Sequence, residues 1–312
     1  MVNNFKEIKK NKFALIENFS KFNPRFDFFI GIDSDGTIFD SMIKKHERYF
    51  VDPLINEFKL FSISKKVHKI WKHVNIFSKN RGINRFLALV LVFDFIRTLK
   101  DKNQKNFTLP NVEPLRNWIK NNSNLSEESL INYFELKNKS KINHIGQKAV
   151  KWSMEVNRLI LSSKTEFKIF PEAEKALQLL NSFADIAIIS NTPLFSLKKD
   201  WEGTKIYDTV GIIGGQETGS KATMLKKATQ HKYDSKNILY IGDSMSDFKA
   251  ALEVESFFFP IIPGKENHSW KEFLEEGLVK FISLNFTKSY QINLMKKYNK
   301  FLKLEQKRNF IK

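Results

Sequence analysis

Apolar and polar positions follow two different rhythms along this chain. Three short apolar runs, Phe28-Phe29-Ile30-Gly31-Ile32, Ile186-Ala187-Ile188-Ile189 and Ile238-Leu239-Tyr240-Ile241, each stop at polar or turn-forming residues and predict strands. Gly211-Ile212-Ile213-Gly214-Gly215 reads as a further strand running into a loop, without the glycine spacing of a dinucleotide-binding turn. From Asp40 to about Thr165 the period is helical instead. Phe86 to Phe93, continuing to Phe95 and Ile96 with Arg97 and Lys100 near its end, predicts a helix, as does Trp152 to Ile160. Ser126, ahead of Glu127-Glu128-Ser129, is placed to cap a helix, with Leu125 available to pack back on it. Pro110 and Pro114 mark an exposed connection around Asn111. Pro171 opens a helix running through Leu177, a position that proline tolerates.

The strand ends carry the chemistry. Asp33 and Asp35 are two residues apart, so in an extended strand they point the same way, and the chain stops at Gly36 where both can face one ligand. Burying two carboxylates side by side is unfavourable unless a cation joins them, which implies a divalent metal. A strand followed by a turn whose Asp and Thr side chains cap backbone groups is the plainer alternative. Three more segments shift the balance. The second strand ends in the hydroxyl of Ser190, followed by Asn191-Thr192-Pro193; Gly219-Ser220-Lys221 sets a lysine at a helix start; and the third strand ends in Asp243, with Asp247 close behind. Strand ends of a parallel sheet share one rim, where such folds bind ligands.

In this order the four segments resemble the haloacid dehalogenase superfamily, and within it the magnesium-dependent phosphatases with a helical cap inserted after the first motif, the phosphoglycolate phosphatase and β-phosphoglucomutase-like subgroup. The resemblance covers residues 25–40 and 166–265 and says little about 42–165 or the C-terminal segment. It implies an α/β fold: a Rossmann-like parallel sheet core formed by 1–40 and 166–265, an all-helical cap over 41–165, and a C-terminal helical extension over 266–312 packed on the core. It also implies roles. Asp33 is the expected nucleophile, forming an aspartyl-phosphate, and Asp35 the acid that protonates the leaving oxygen and then takes a proton from water. Ser190 holds a phosphoryl oxygen and Lys221 neutralises charge on the transferring group. Mg2+ is the expected cofactor, held by Asp33, the Asp35 carbonyl and Asp243, with Asp247 binding through water or holding Lys221 in place. Thr37 and Asn191 beside these groups complete the expected substrate contacts. Dehalogenating relatives lack the second acid and need no metal, and related transport ATPases have Thr there, so Asp35 implies fast turnover of the intermediate. Relatives often carry Lys-Pro at the third motif; Ala222 follows Lys221 here, without proline's pre-shaping of a helix start.

Composition narrows the picture less. The chain has 312 residues, 42% hydrophobic with 30 Phe, enough for a sizeable core, and no Cys. Lys6, Lys9, Lys10 and Lys12 precede only Phe13 to Ile16 before Glu17 interrupts, too short for a signal-peptide apolar region, and no run approaches the roughly 18 apolar residues of a membrane span. A soluble, cytoplasmic protein is expected. The net charge of +18 attracts nucleic acid, anionic membranes and phosphorylated metabolites alike and does not choose among them; most of it reads as a solvated face. Tyr290, Leu294, Tyr298, Phe301, Leu302 and Glu305 fall near one helical stripe, with Lys296, Lys297, Lys300, Lys303 and Lys307 mostly elsewhere. Docking of this helix on the core is the plainer reading; lying on a membrane or a nucleic acid backbone is the sharper one.

Specificity is expected in the cap, which in such proteins excludes water and contacts the leaving group. Ser78 to Phe86 places Arg81 and Arg85 around Gly82 ahead of a helix, either an arrangement able to receive a substrate carboxylate or second phosphate or plain surface charge flanking a helix. His46 could reach the cleft from the first cap helix, although an exposed helix position is the plainer reading. The expected partner is a small phosphorylated metabolite such as phosphoglycolate, a sugar phosphate or a nucleotide. Two alternatives stand beside hydrolysis: a phosphomutase acting on a phosphosugar, and a basic protein that keeps the fold but binds nucleic acid or a membrane surface.

Overall fold

The structure, a computed structural model, describes residues 19–98, 109–122, 124–137 and 144–310, with side chains described for all but 135–137 and 304–310. The N-terminal lysines, the Phe13 to Ile16 run and Lys100 lie outside the described residues, as do the side chains of Glu305 and Lys307. The chain divides into two compact units, one of residues 1–41 and 166–301, the other of 42–165 and 302–312.

The first unit is built on five parallel strands: β1 Phe28–Ile32, β2 Ala184–Ile189, β3 Ile212–Gly214, β4 Ile238–Gly242 and β5 Phe257–Pro260, in the order β3-β2-β1-β4-β5. This is the Rossmann-like α/β core expected from the sequence. β5 is not predicted by the apolar pattern, because Phe257-Phe258-Phe259-Pro260 is short and ends in a residue that cannot donate to a ladder. Its position at the sheet edge is what makes Pro260 tolerable.

Alternation along the strands divides their side chains between two faces. Ile30 and Ile32, Ile186 and Ile188, Leu239 and Ile241 join Trp201, Trp270, Phe273 and Phe281 in one buried cluster with the helix Pro171–Leu180. Burial of each such large apolar side chain contributes roughly 1.5–3 kcal/mol. On the opposite face, Gly31 leaves space for Leu225 and Tyr240: a Cβ there would stand 3.0 Å from the Tyr240 ring and 3.3 Å from Leu225. That close approach seats the helix Lys221–Thr229 against the sheet. The neighbouring helix Met245–Glu253 packs Phe248 against Phe258 of β5, ring centroids 5.5 Å apart.

The C-terminal segment forms the helix Lys288–Phe310. Leu294 and Tyr298 of the predicted stripe are buried, as are Gln291 and Met295, which apolar periodicity alone does not single out. Gln291 Oε1 accepts the backbone N–H of Phe258 at 2.7 Å, so the helix satisfies a donor on the edge strand β5.

The second unit is helical; among its described residues there is no strand. Its helices include Val51–Phe58, Ser64–Asn75, Arg85–Thr98, Glu113–Asn121, Glu127–Lys137 and His144–Ser162. Trp71, Trp118 and Trp152 are fully buried, and Trp71 meets Trp152 edge-on at 5.7 Å. Ser126 Oγ accepts the N–H of Ser129 at 3.2 Å, the predicted cap. Pro114 differs from expectation. It stands in the first turn of Glu113–Asn121, where its missing N–H and fixed φ suit the helix, and not in an exposed connection. Among the described residues, no helix is long and apolar enough to cross a membrane.

Candidate active site

The parallel order brings the C-terminal ends of the strands to one rim, and three strands hand over directly to reactive groups: Asp33 after β1, Ser190 after β2 and Asp243 after β4. Asp33 N donates to Ile241 O at 2.9 Å, which keeps Asp33 in register with β4. The chain then folds back on itself. Ser34 O accepts from Ile38 N at 2.9 Å while Gly36, at φ +76°, supplies the left-handed turn. This turn sets Asp35 where one carboxylate oxygen accepts the Ser41 hydroxyl and the other the Thr192 hydroxyl at 2.7 Å. Ser190 is buried at the end of β2; its N–H donates to Gly214 O at 3.0 Å and its Oγ accepts Thr192 N at 3.2 Å.

Lys221 opens its helix behind the N-cap Ser220, whose Oγ accepts Thr223 N at 3.1 Å. Its buried ammonium sits 2.6 Å from Asp247 Oδ1 and 3.0 Å from Asp33 Oδ2. Asp247 is fixed from several directions. Tyr240 O–H also lies 3.0 Å from Oδ1, while Oδ2 accepts Ser244 N at 3.0 Å and Ser244 Oγ at 2.6 Å. Ser244 and Asp247 together form a capping box at the start of Met245–Glu253. Gly242 makes this possible, because a Cβ there would fall 2.4–2.6 Å from the Asp247 side chain.

Asp33, Asp243 and Asp247 can each present a carboxylate oxygen within 4.8 Å of the others, all three residues being buried. Asp33 Oδ1 is itself buried without a hydrogen-bond partner. Burial, reinforced by Asp247 and Asp243 against the pull of Lys221, pushes Asp33 up to about 8. Burial opposes the charge on Lys221, but Asp247 and Asp33 beside it hold its pKa above the ordinary lysine range. Hard oxygen donors, an unpartnered buried oxygen and a carboxylate that resists ionising without added positive charge fit a divalent cation such as Mg2+.

Thr37 and Asn191 sit in the same loops. Thr37 is fully buried, with Oγ1 unpartnered and its carbonyl accepting Trp270 Nε1 at 2.8 Å; Asn191 is exposed. The second-unit candidates are placed otherwise. Arg81 is buried and donates to Ile76 O at 3.2 Å. Arg85 Nη1 donates to Asn157 Oδ1 at 2.7 Å and Ser153 Oγ at 3.0 Å, with Glu127 3.9 Å away; burial lowers its pKa to about 10, against the pull of Glu127. These guanidiniums bind groups of their own unit, in contrast to the open, anion-receiving loop that the sequence suggests. His46 accepts Trp71 Nε1 on Nδ1 at 3.0 Å, stacks on Phe50, and lines a cavity of about 350 Å³ with Val51, His68, Trp71 and Ile76.

The sequence model of the haloacid dehalogenase-like hydrolases matches residues 91–259, just over half of the 312 residues. The chain belongs to that family. The matched segment of this haloacid dehalogenase-like hydrolase contains Ser190, Lys221, Asp243 and Asp247 but begins after Asp33 and Asp35, whose association with them rests on the geometry above. Among solved structures, the chain is similar to a Bacteroides fragilis structure assigned to the haloacid dehalogenase-like hydrolases, at 16% identity over 78% of this chain and 92% of that one, TM-score 0.46. It is also similar to a predicted phosphoglycolate phosphatase from Haemophilus somnus, at 13% identity over 81% and 98%, TM-score 0.41. A search of curated proteins found no match.

Sequence reasoning passed over Ser41, Thr192, Tyr240 and Ser244, which hold the acids. The Ser244-x-x-Asp247 spacing is itself a capping-box signal that could have identified one of them. Ser41, Thr192 and Tyr240 reach their partners through tertiary contacts, for which the local sequence has no comparable signature.

Proposed function

We propose that this hydrolase cleaves phosphate monoesters of small metabolites through a phosphorylated Asp33. The observation that carries the reading is the buried Asp33 carboxylate, with one oxygen on Lys221 and the other unpartnered, beside Asp243 and in the same loop as an anchored Asp35. In the first step an Asp33 oxygen bonds to phosphorus as the ester P–O bond breaks, and Asp35 delivers its proton to the departing alkoxide. Water then attacks the same phosphorus and gives its proton to Asp35, the Asp33–phosphorus bond breaks, and both acids return to their starting states. Lys221 and the Ser190 hydroxyl face the phosphoryl oxygens, and Asp247 keeps Lys221 extended and charged. Mg2+, with Asp33, the Asp35 carbonyl and Asp243 as the ligands we assign, would supply the charge that lets Asp33 ionise and offset the anionic substrate. Arg81 and Arg85 are left out of the substrate contacts because their guanidiniums already serve the second unit.

The test is phosphate release from p-nitrophenyl phosphate, phosphoglycolate, hexose phosphates and nucleoside monophosphates, with Mg2+ and with chelator. Release that requires Mg2+ is the expected result. No release from any of these substrates would contradict the reading.

A further inference from the structure

The helix Lys288–Phe310 lies outside the matched family segment, yet it reaches the strand-end acids. Tyr298, buried on that helix, donates its hydroxyl to the backbone carbonyl of Asp243 at 2.7 Å. Asp243 directly follows β4, where the chain turns into the N-cap Ser244, so its backbone orientation sets where its carboxylate lies relative to Asp33. The flanking carbonyls are held by the sheet itself: Ile241 O accepts Asp33 N at 2.9 Å and Gly242 O accepts Ile261 N at 2.8 Å. Beyond them the ladder ends, and the Asp243–Ser244 peptide is held at its N–H by Asp247 Oδ2 at 3.0 Å and at its carbonyl by this C-terminal side chain.

The same helix is anchored two turns earlier, where Gln291 takes up Phe258 N of β5, and on its flank, where Lys297 Nζ pairs with Glu272 at 2.6 Å. Gln291, Leu294 and Tyr298 follow the three- and four-residue spacing of one helix face, and all three are buried. The stripe therefore runs from the sheet edge up to the rim.

We propose that Tyr298 is a positioning residue for the metal site, holding the Asp243 peptide in the orientation that lets its carboxylate converge with Asp33 on a divalent cation. The inference rests on the cation reading above. Loss of the hydroxyl removes the carbonyl-side hold on this peptide and leaves its N–H end on Asp247 Oδ2, a looser tether that weakens cation binding more than it disturbs the fold.

The experiment is a Mg2+ titration of Tyr298→Phe, followed by intrinsic tryptophan fluorescence and by the Mg2+-induced rise in Tm, with steady-state kinetics on p-nitrophenyl phosphate. The expected result is a Mg2+ Kd raised about 10-fold, the lower end for loss of a group that orients a metal ligand. Activity returns at saturating Mg2+ with an unchanged substrate KM. Gln291→Ala, which loosens the same helix away from the acids, should lower Tm without moving the Mg2+ Kd. Tyr298→His keeps a ring N–H donor and serves if the Phe variant does not fold; its Kd should lie above wild type and below any Phe value. A Tyr298→Phe Kd equal to wild type, or an equal rise in Gln291→Ala, overturns the inference and leaves the phosphatase reading intact. Wild type that binds Mg2+ without hydrolysing any ester removes the phosphatase reading but still tests Tyr298 by Kd. Wild type that binds no Mg2+ overturns both.

Discussion

Lys221 and Asp247 are locked together at 2.6 Å in the interior, and the ammonium spans onward to Asp33 at 3.0 Å. One cation thus joins the expected nucleophile to an acid that is pinned by a helix cap and a strand tyrosine. Cutting the pair at Asp247 leaves the buried ammonium facing Asp33, whose carboxyl burial keeps mostly protonated near neutral pH in the metal-free protein. Asp247→Ala should lower the stability of the metal-free protein by about 3–5 kcal/mol, read from urea unfolding, and abolish turnover. A loss below about 1 kcal/mol would mean that Asp33 alone compensates Lys221.

Gly242→Ala tests the same arrangement from the backbone side. The new Cβ would stand within 2.4–2.6 Å of the Asp247 side chain, so either that side chain or β4 must shift. The expected outcome is a stability loss of about 1–3 kcal/mol together with a fall in kcat. Wild-type kinetics in this variant would show that Asp247 can leave its cap without consequence.

Much of this site is legible in the sequence because each acid sits at a strand end, where apolar run and polar break coincide. Asp33, Ser190 and Asp243 are found that way, and Lys221 by its place at a helix start. The parallel sheet follows from the same runs, although β5 does not, since three phenylalanines and a proline at an edge leave too short a pattern. Arg81 and Arg85 show the opposite case. Two arginines about a glycine read as an anion receiver, but their partners Ile76 O, Ser153 and Asn157 are brought to them by helix packing that local spacing does not encode. Tyr298 is likewise visible only as an apolar stripe position, and its bond to Asp243 O depends on tertiary placement.

Asp33 gives the metal-free protein a pH signature. Its carboxyl is raised to about 8 by burial, so the folded state keeps a proton that the unfolded chain releases near pH 4. The stabilisation is full below about pH 4 and is lost as pH rises toward 8, at up to about 1.4 kcal/mol per pH unit. Comparing Tm of wild type and Asp33→Asn between pH 5 and 8 in chelator should show the wild type falling more steeply. Parallel curves would mean that Asp33 is ionised throughout in the folded protein.

Arg85 is predicted to act on stability. Arg85→Ala removes charged hydrogen bonds to Ser153 and Asn157 within the second unit and should lower stability by about 2–3 kcal/mol, with KM for the best substrate within about twofold of wild type. A large rise in KM at unchanged Tm would instead make Arg85 a substrate contact.

The central claim is that Asp33 carries the phosphoryl group, and the most direct measurement is acid quench of the enzyme turning over substrate labelled in its phosphate, followed by mapping of the labelled peptide. The account predicts base-labile phosphate on the peptide containing Asp33, absent from Asp33→Asn. Continued phosphate release by Asp33→Asn, or label on a peptide without Asp33, would contradict it.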